Sequence, residues 1–100
     1  MSNKSNEKLD LRDSRTFIIG REGHIYIDDI GVSKRHAEIR VVDGRIYLRD
    51  LDSVNGIQVV EDGKLVKFDK GYVRPDGPIV IGRKVYTGRE LLAKAVAFSD

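Results

Sequence analysis

The sequence predicts an all-β fold, an antiparallel β-sandwich of two sheets followed by one short C-terminal helix. Three observations carry that prediction. From Thr16 onward the apolar residues come in strand-length stretches broken by turn residues at roughly eight- to twelve-residue intervals. Asp43-Gly44 and Asp62-Gly63 each sit between two such stretches, and a tight hairpin turn takes Asp-Gly because both central positions need positive φ. Only the last stretch, TGRELLAKAVAF at 87–98, changes from strand spacing to helix spacing.

Residues 1–14, MSNKSNEKLDLRDS, are polar without sustained periodicity and are expected to form a mobile tail, leaving the domain to 15–98. TFIIG and IYI open the strand pattern. In AEIRVV-DG-RIYLRDL the turn at Asp43-Gly44 sets the register: Val41 opposite Ile46, Ile39 opposite Leu48, Arg40 opposite Tyr47 and Glu38 opposite Arg49. Apolar residues then meet on one face and opposite charges on the other. The same register turns Asp50 inward, so pairing is expected to break or bulge near Asp50-Leu51. IQVV-EDG-KLVKF repeats the hairpin pattern, and Pro75-Asp76-Gly77 turns into the strands IVI and KVY. Thr87 and Glu90 form a capping box for a helix at about 88–97, with Leu91, Leu92, Ala95 and Val96 on one face. Ile-Gly-Arg occurs at 19–21 and 81–83 with dissimilar flanks, which reads as chance.

Composition narrows the function classes. A chain of 100 residues, 40% hydrophobic and 34% charged, suits one globular domain. No apolar run reaches the roughly 18 residues of a membrane span, and no secretory leader is evident. With no cysteine and two histidines, neither a disulfide nor a metal site is expected, and no cofactor is implied. The expectation is a cytoplasmic, soluble protein. Eighteen basic residues against sixteen acidic ones, interspersed throughout, leave a net charge of only +2, so any anion site must be local.

Three polar clusters fall at strand ends: Gly20-Arg21, Ser33-Lys34-Arg35-His36 and Ser53-Val54-Asn55-Gly56. Loops at one end of a sandwich gather together, so these can converge. Arginine offers a forked donor, serine a hydroxyl, lysine a point cation and asparagine an amide. A phosphate ester, with roughly −1.5 to −2 charges and three acceptor oxygens, takes such a donor set.

FIIGREGHIYIDDIGVSKRHAEI and LRDLDSVNGIQV, with Gly-Arg, Ser-x-x-His and Asn-Gly in that order, resemble the forkhead-associated (FHA) domain family. PDGPIVIGRKVY is similar to that family's late strand pair, and the resemblance covers roughly residues 16–87. It implies a phosphothreonine-binding β-sandwich that is not an enzyme. Arg21, Ser33 and Lys34 would bind the phosphate; Asn55, with Val54 and Arg35, would contact the peptide. Gly20, His36 and Gly56 would support the site. The implied partner is a phosphothreonine-containing protein acting in trans, since the tail has no threonine. Several positions depart from the family pattern. Val54 stands where many members carry threonine or serine, and one missing charge-assisted hydrogen bond is worth ~1.5–3 kcal/mol. The stretch from Arg21 to Ser33 is short, His24 replaces a common aspartate or asparagine, VVEDG replaces Val-Asn-Gly, and Pro78 replaces an acidic residue.

Other classes fit less well. A hydrolase built on Ser33, His36 and one of Asp28, Asp29 or Asp50 lacks a nucleophile-elbow context and an oxyanion element. A nonspecific nucleic-acid binder could use Lys34, Arg35, Arg40, Arg45 and Arg49. Glu38, Asp43, Asp50 and Asp52 interrupt that row, and aromatics for stacking are few. A sandwich scaffold whose phosphate site has weakened, signalled by Val54, is the remaining alternative.

Overall fold

The computed structural model describes residues 16–99, with side chains through residue 95. The predicted tail at 1–14 and the side chain of Val96 lie outside these. Nine strands precede one helix: β1 Thr16–Gly20, β2 Ile25–Tyr26, β3 Ala37–Val42, β4 Arg45–Asp50, β5 Ile57–Glu61, β6 Lys64–Phe68, β7 Lys70–Val73, β8 Pro78–Ile81, β9 Lys84–Thr87 and α1 Gly88–Ser99. They form two sheets, ordered β2-β1-β3-β4-β7 and β6-β5-β8-β9.

Both Asp-Gly hairpins form as the sequence predicts. Asp43 and Gly44 have φ of 52° and 75°, Asp62 and Gly63 have 53° and 77°. All four lie in the left-handed region that a type I′ turn requires. The β3–β4 register is the expected one, Ile39 opposite Leu48 and Glu38 opposite Arg49. Pairing stops where the sequence places the break: Asp50 opposite Ala37 is the last rung, and β4 ends there without a bulge. Asp50 keeps its place because the polar loop that follows gives its carboxylate partners, Ser53 N–H and Ser53 Oγ. β2 forms within the IYI stretch read from the sequence, whereas β7 carries no clear sequence signal. β2 is two residues long and runs parallel to β1, the exception to the antiparallel pattern among the described pairs. β7 follows β6 after Asp69 alone and joins the other sheet by pairing with β4.

Isoleucine dominates the space between the sheets, with Ile19, Ile25, Ile39, Ile57, Ile79 and Ile81 all at or below 1% exposure. β-branched side chains fill a pleated inner face well. The helix starts on its capping box, with Thr87 Oγ1 accepting from Glu90 N–H (3.0 Å) and Glu90 Oε1 accepting from Thr87 N–H (2.9 Å). It packs against β2 and β9, one edge strand from each sheet, and buries Leu91 and Ala95. An edge left open would be a template for pairing with another chain. Arg89 ties the helix back to the preceding turn through Asp76 (3.0 and 3.3 Å) and the Pro75 carbonyl (3.0 Å). The registers put Asp43-Gly44, Asp62-Gly63 and the 74–77 turn at one end. The other end gathers the segments 21–24, 27–36, 51–56 and the turn at Gly82-Arg83. All three polar clusters belong to that second end.

Candidate functional site

The rim is built by backbone and side-chain ties between loops far apart in sequence. Where β1 ends, the Arg21 N–H donates to the Ser33 carbonyl (3.2 Å) and the Glu22 N–H to the Lys34 carbonyl (3.0 Å). Gly20 permits that approach, since a Cβ there would lie 2.1 Å from the Lys34 carbonyl oxygen. The Arg21 side chain follows the same seam, with Nε–H donating to the Val32 carbonyl at 2.6 Å. Arg21 is otherwise exposed, so its guanidinium is anchored through one nitrogen while its fork remains at the surface.

His36 is fully buried behind this seam. Its Nδ1 accepts from the Ser33 N–H (3.0 Å), which leaves the ring proton on Nε2 to donate to the Gly56 carbonyl (2.8 Å). One imidazole thus joins the 27–36 loop to the 51–56 loop. Its own N–H and carbonyl pair with Ile19 and Leu51. The Ser33 hydroxyl accepts from the Val54 N–H at 3.0 Å, and a hydroxyl that accepts still has its proton to donate. Asn55 reaches across to the Gly31 carbonyl with its side-chain amide (2.8 Å). Gly56 has φ of +73°, a conformation in which any other residue is strained.

The structure therefore brings Arg21, Ser33, His36, Val54, Asn55 and Gly56 together at one rim. Lys34 and Arg35 are exposed beside them. Lys34 carries a qualification, because its ammonium lies 3.9 Å from the Glu22 carboxylate. The donor set read from sequence named no carboxylate, and Glu22 supplies one at its edge. Val54 is 88% exposed, so its side chain faces solvent while its N–H is held by Ser33.

Sequence reasoning missed several residues that hold this rim. Ser53 bonds Asp50 through its hydroxyl and accepts from the Gly56 N–H (2.9 Å), folding the 51–56 loop on itself. His24 accepts the Ile18 N–H at Nδ1 (2.9 Å) and staples the short 21–24 loop to β1. Asp29 accepts from Gly31 N–H (2.8 Å) and Arg83 N–H (2.9 Å), and its side chain is only 8% exposed. Gly82, in the turn beside it, has no room for a Cβ, which would come within 2.6 Å of Val32 and 2.7 Å of Asp29. The second Ile-Gly-Arg is thus a brace on the loop that the first also holds, although the flanking strands belong to different sheets. A shallow cleft of about 440 Å³ runs from Asn55 toward Gln58 and Lys67. Lys67 faces Gln58 across the β5–β6 hairpin, a position that follows from the Asp62-Gly63 turn but was not read as part of the site.

Asp29 gives the rim a defined acid sensitivity. The Arg83 and Gly31 N–H groups, then the Arg83 charge, hold its carboxyl below the ordinary value of 3.8. A carboxyl depressed in the folded state contributes stability that is complete above its unfolded value and is lost as pH falls through the folded one. Asp29→Asn is expected to be less stable than the parent at pH 7, with a smaller gap at a pH well below 3.8. Urea midpoints of both proteins at the two pH values measure it, and a gap that stays constant would contradict the assignment.

A β-sandwich whose polar loops converge on one rim, with arginine and serine on a single backbone seam, is the architecture of a loop-based recognition domain. The chain matches the FHA domain family over residues 17–84, and it belongs to that family. Among curated proteins it is similar to the oxoglutarate dehydrogenase inhibitor of Corynebacterium efficiens, 43% identical over 51 residues, 49% of this chain and 36% of that protein. It is also similar to the glycogen accumulation regulator GarA of Mycolicibacterium smegmatis, 41% identical over 51 residues, 49% of this chain and 32% of that protein. The match thus spans about a third of each relative's length. Among solved structures, one from a study of phosphothreonine-dependent FHA domain interactions superposes with a TM-score of 0.63 at 30% identity, covering 72% of this chain and 73% of the other. The FhaA FHA domain, solved in complex with the intracellular domain of Rv3910, gives 0.58 at 32% identity, covering 70% and 75%.

Proposed function

We propose that this chain is a non-catalytic adaptor module that binds a phosphothreonine segment of a partner protein at the 20–36/51–56 rim. One observation carries the reading. Arg21 and Ser33 lie on a single backbone seam, the guanidinium tethered to Val32 and the serine held between His36 and Val54. Arg21 and Ser33 would take the phosphate oxygens, with Lys34 adding charge from the side. The Asn55 amide retains a carbonyl and a second N–H, the pair of groups a peptide backbone answers, with Val54 and Arg35 alongside. Gly20, His36 and Gly56 act through the backbone positions they enforce. The unit would comprise residues 15–98, and a ligand made by protein kinases supports a cytoplasmic location. The likeness to a domain studied for phosphothreonine-dependent interactions supports the choice of ligand.

A second reading, a scaffold with a weakened phosphate site, draws on Val54 and on Glu22 beside Lys34. Titration calorimetry with a phosphothreonine peptide, its phosphoserine counterpart and the unmodified peptide separates the two. The adaptor reading expects saturable binding of the phosphothreonine peptide alone; equal or absent binding of all three favours the scaffold. Val54→Thr is a sharper probe. A hydroxyl at this exposed position is expected to tighten phosphopeptide binding by about tenfold, near the lower bound for a charge-assisted hydrogen bond, with the thermal midpoint unchanged. Unaltered affinity would mean that residue 54 lies outside the ligand's reach.

A further inference from the structure

Away from the rim, the outer face of the β2-β1-β3-β4-β7 sheet has a composition unlike the rest of the molecule. By strand register, Glu38, Arg40, Arg45, Tyr47, Arg49, Lys70 and Tyr72 point to this side. Tyr26, 59% exposed and alternating with the buried Ile25, joins them from the far edge strand. Among the described residues this register places one carboxylate on the face, Glu38, which Arg49 takes at 2.7 Å, with Asp69 beside Arg49 and Lys70 at its margin. Arg40, Arg45 and Lys70 have no acidic counterpart in that register. Arg45 lies 4.1 Å over the ring of Tyr72 and Arg40 lies 5.0 Å over that of Tyr47, while the two rings meet edge to face at 5.5 Å. The Arg40 Nε is buried without a hydrogen-bond partner. Among the described residues, these guanidinium groups are held by aromatic rings and not by ion pairs.

We propose that this sheet face is a second docking surface, for an unphosphorylated, acidic segment of a protein partner. The phosphate reading concerns the rim, and this proposal does not rest on it. Fixed guanidinium planes are suited to bidentate carboxylates, and tyrosine with arginine is the composition of binding hot spots. The cations are spread over β3, β4 and β7, which separates them by roughly 10 Å across the sheet. That spacing matches carboxylates along a segment better than one small anion. A single-stranded nucleic acid fits less well. It stacks its bases on open aromatic faces, whereas Tyr47 and Tyr72 each carry a guanidinium on one face and share an edge contact. The net charge of +2 also gives a long polyanion little general attraction. β4 runs directly into the 51–56 loop, so a partner held at the rim could continue onto this face.

The test uses the whole chain and three labelled probes in fluorescence anisotropy. They are a short peptide of alternating glutamate and alanine, an oligothymidylate of equal length, and a phosphothreonine peptide without acidic flanks. The acidic peptide is expected to bind with a salt-sensitive affinity that falls about tenfold or more in the Arg45→Glu/Lys70→Glu protein, while the phosphothreonine peptide is unaffected by those changes. Arg21→Ala should leave the acidic peptide's binding intact. Arg45→Gln/Lys70→Gln serves if charge reversal perturbs folding. The proposal is overturned if the acidic peptide does not bind at low salt, if it binds the variants as well as the parent, if it needs Arg21, or if oligothymidylate binds more tightly.

Discussion

Arg21→Ala is expected to weaken phosphothreonine-peptide binding by about a hundredfold, equivalent to ~2.7 kcal/mol, while leaving the fold almost untouched. The asymmetry follows from where the side chain is anchored. In the free protein the exposed Arg21 side chain hydrogen-bonds the Val32 carbonyl, and such a bond is worth about 1 kcal/mol. In the complex its fork would meet a dianion, where charge-assisted, bidentate hydrogen bonds are strongest. The Arg21 N–H to Ser33 carbonyl bond survives in alanine, because it belongs to the backbone. Calorimetric affinity beside a thermal melt measures both quantities. A fall in stability of more than about 2 kcal/mol with the affinity preserved would make Arg21 a structural residue instead.

His36→Ala is expected to have the opposite profile, with a stability loss of about 3 kcal/mol and binding lost along with the ordered rim. The substitution removes both ring hydrogen bonds and strands the Ser33 N–H and the Gly56 carbonyl around a cavity. Each stranded buried group costs about 1–3 kcal/mol, and the whole fold has a margin of only about 5–15 kcal/mol. Equilibrium urea unfolding at neutral pH gives the number. A loss below about 1 kcal/mol would mean that water or a loop shift readily replaces the imidazole, and that the two loops do not depend on it.

Much of the fold was legible because its strongest features are local. Asp43-Gly44 and Asp62-Gly63 fix two hairpins with period-two patterning on either side, and Thr87 with Glu90 marks the helix start within four residues. β7 was not legible, since Lys70–Val73 follows β6 without a turn signal and is a strand only through its pairing with β4. β2 lies within the IYI stretch, but nothing in its two residues shows that it runs parallel to β1. The end of pairing at Asp50 was legible from the alternation, whereas its partners, which come from the next loop, were not. At the rim, the kinds of donor could be named from residue type, but not what holds them. Asp29 reaches Arg83 across 54 positions, and the two Gly-Arg copies brace one loop only once the sheets have folded together.

The proposed adaptor role requires that separated loops form one phosphate-binding rim. Its most direct test is a titration of nitrogen-labelled protein with a phosphothreonine peptide, followed through the backbone amides. The amides of Arg21, Ser33, Lys34, Val54 and Asn55 are expected to shift together along one saturating curve, and to stay still when the unphosphorylated peptide is added. Shifts gathered at the Asp43-Gly44 and Asp62-Gly63 end, or a response indifferent to the phosphate, would contradict it.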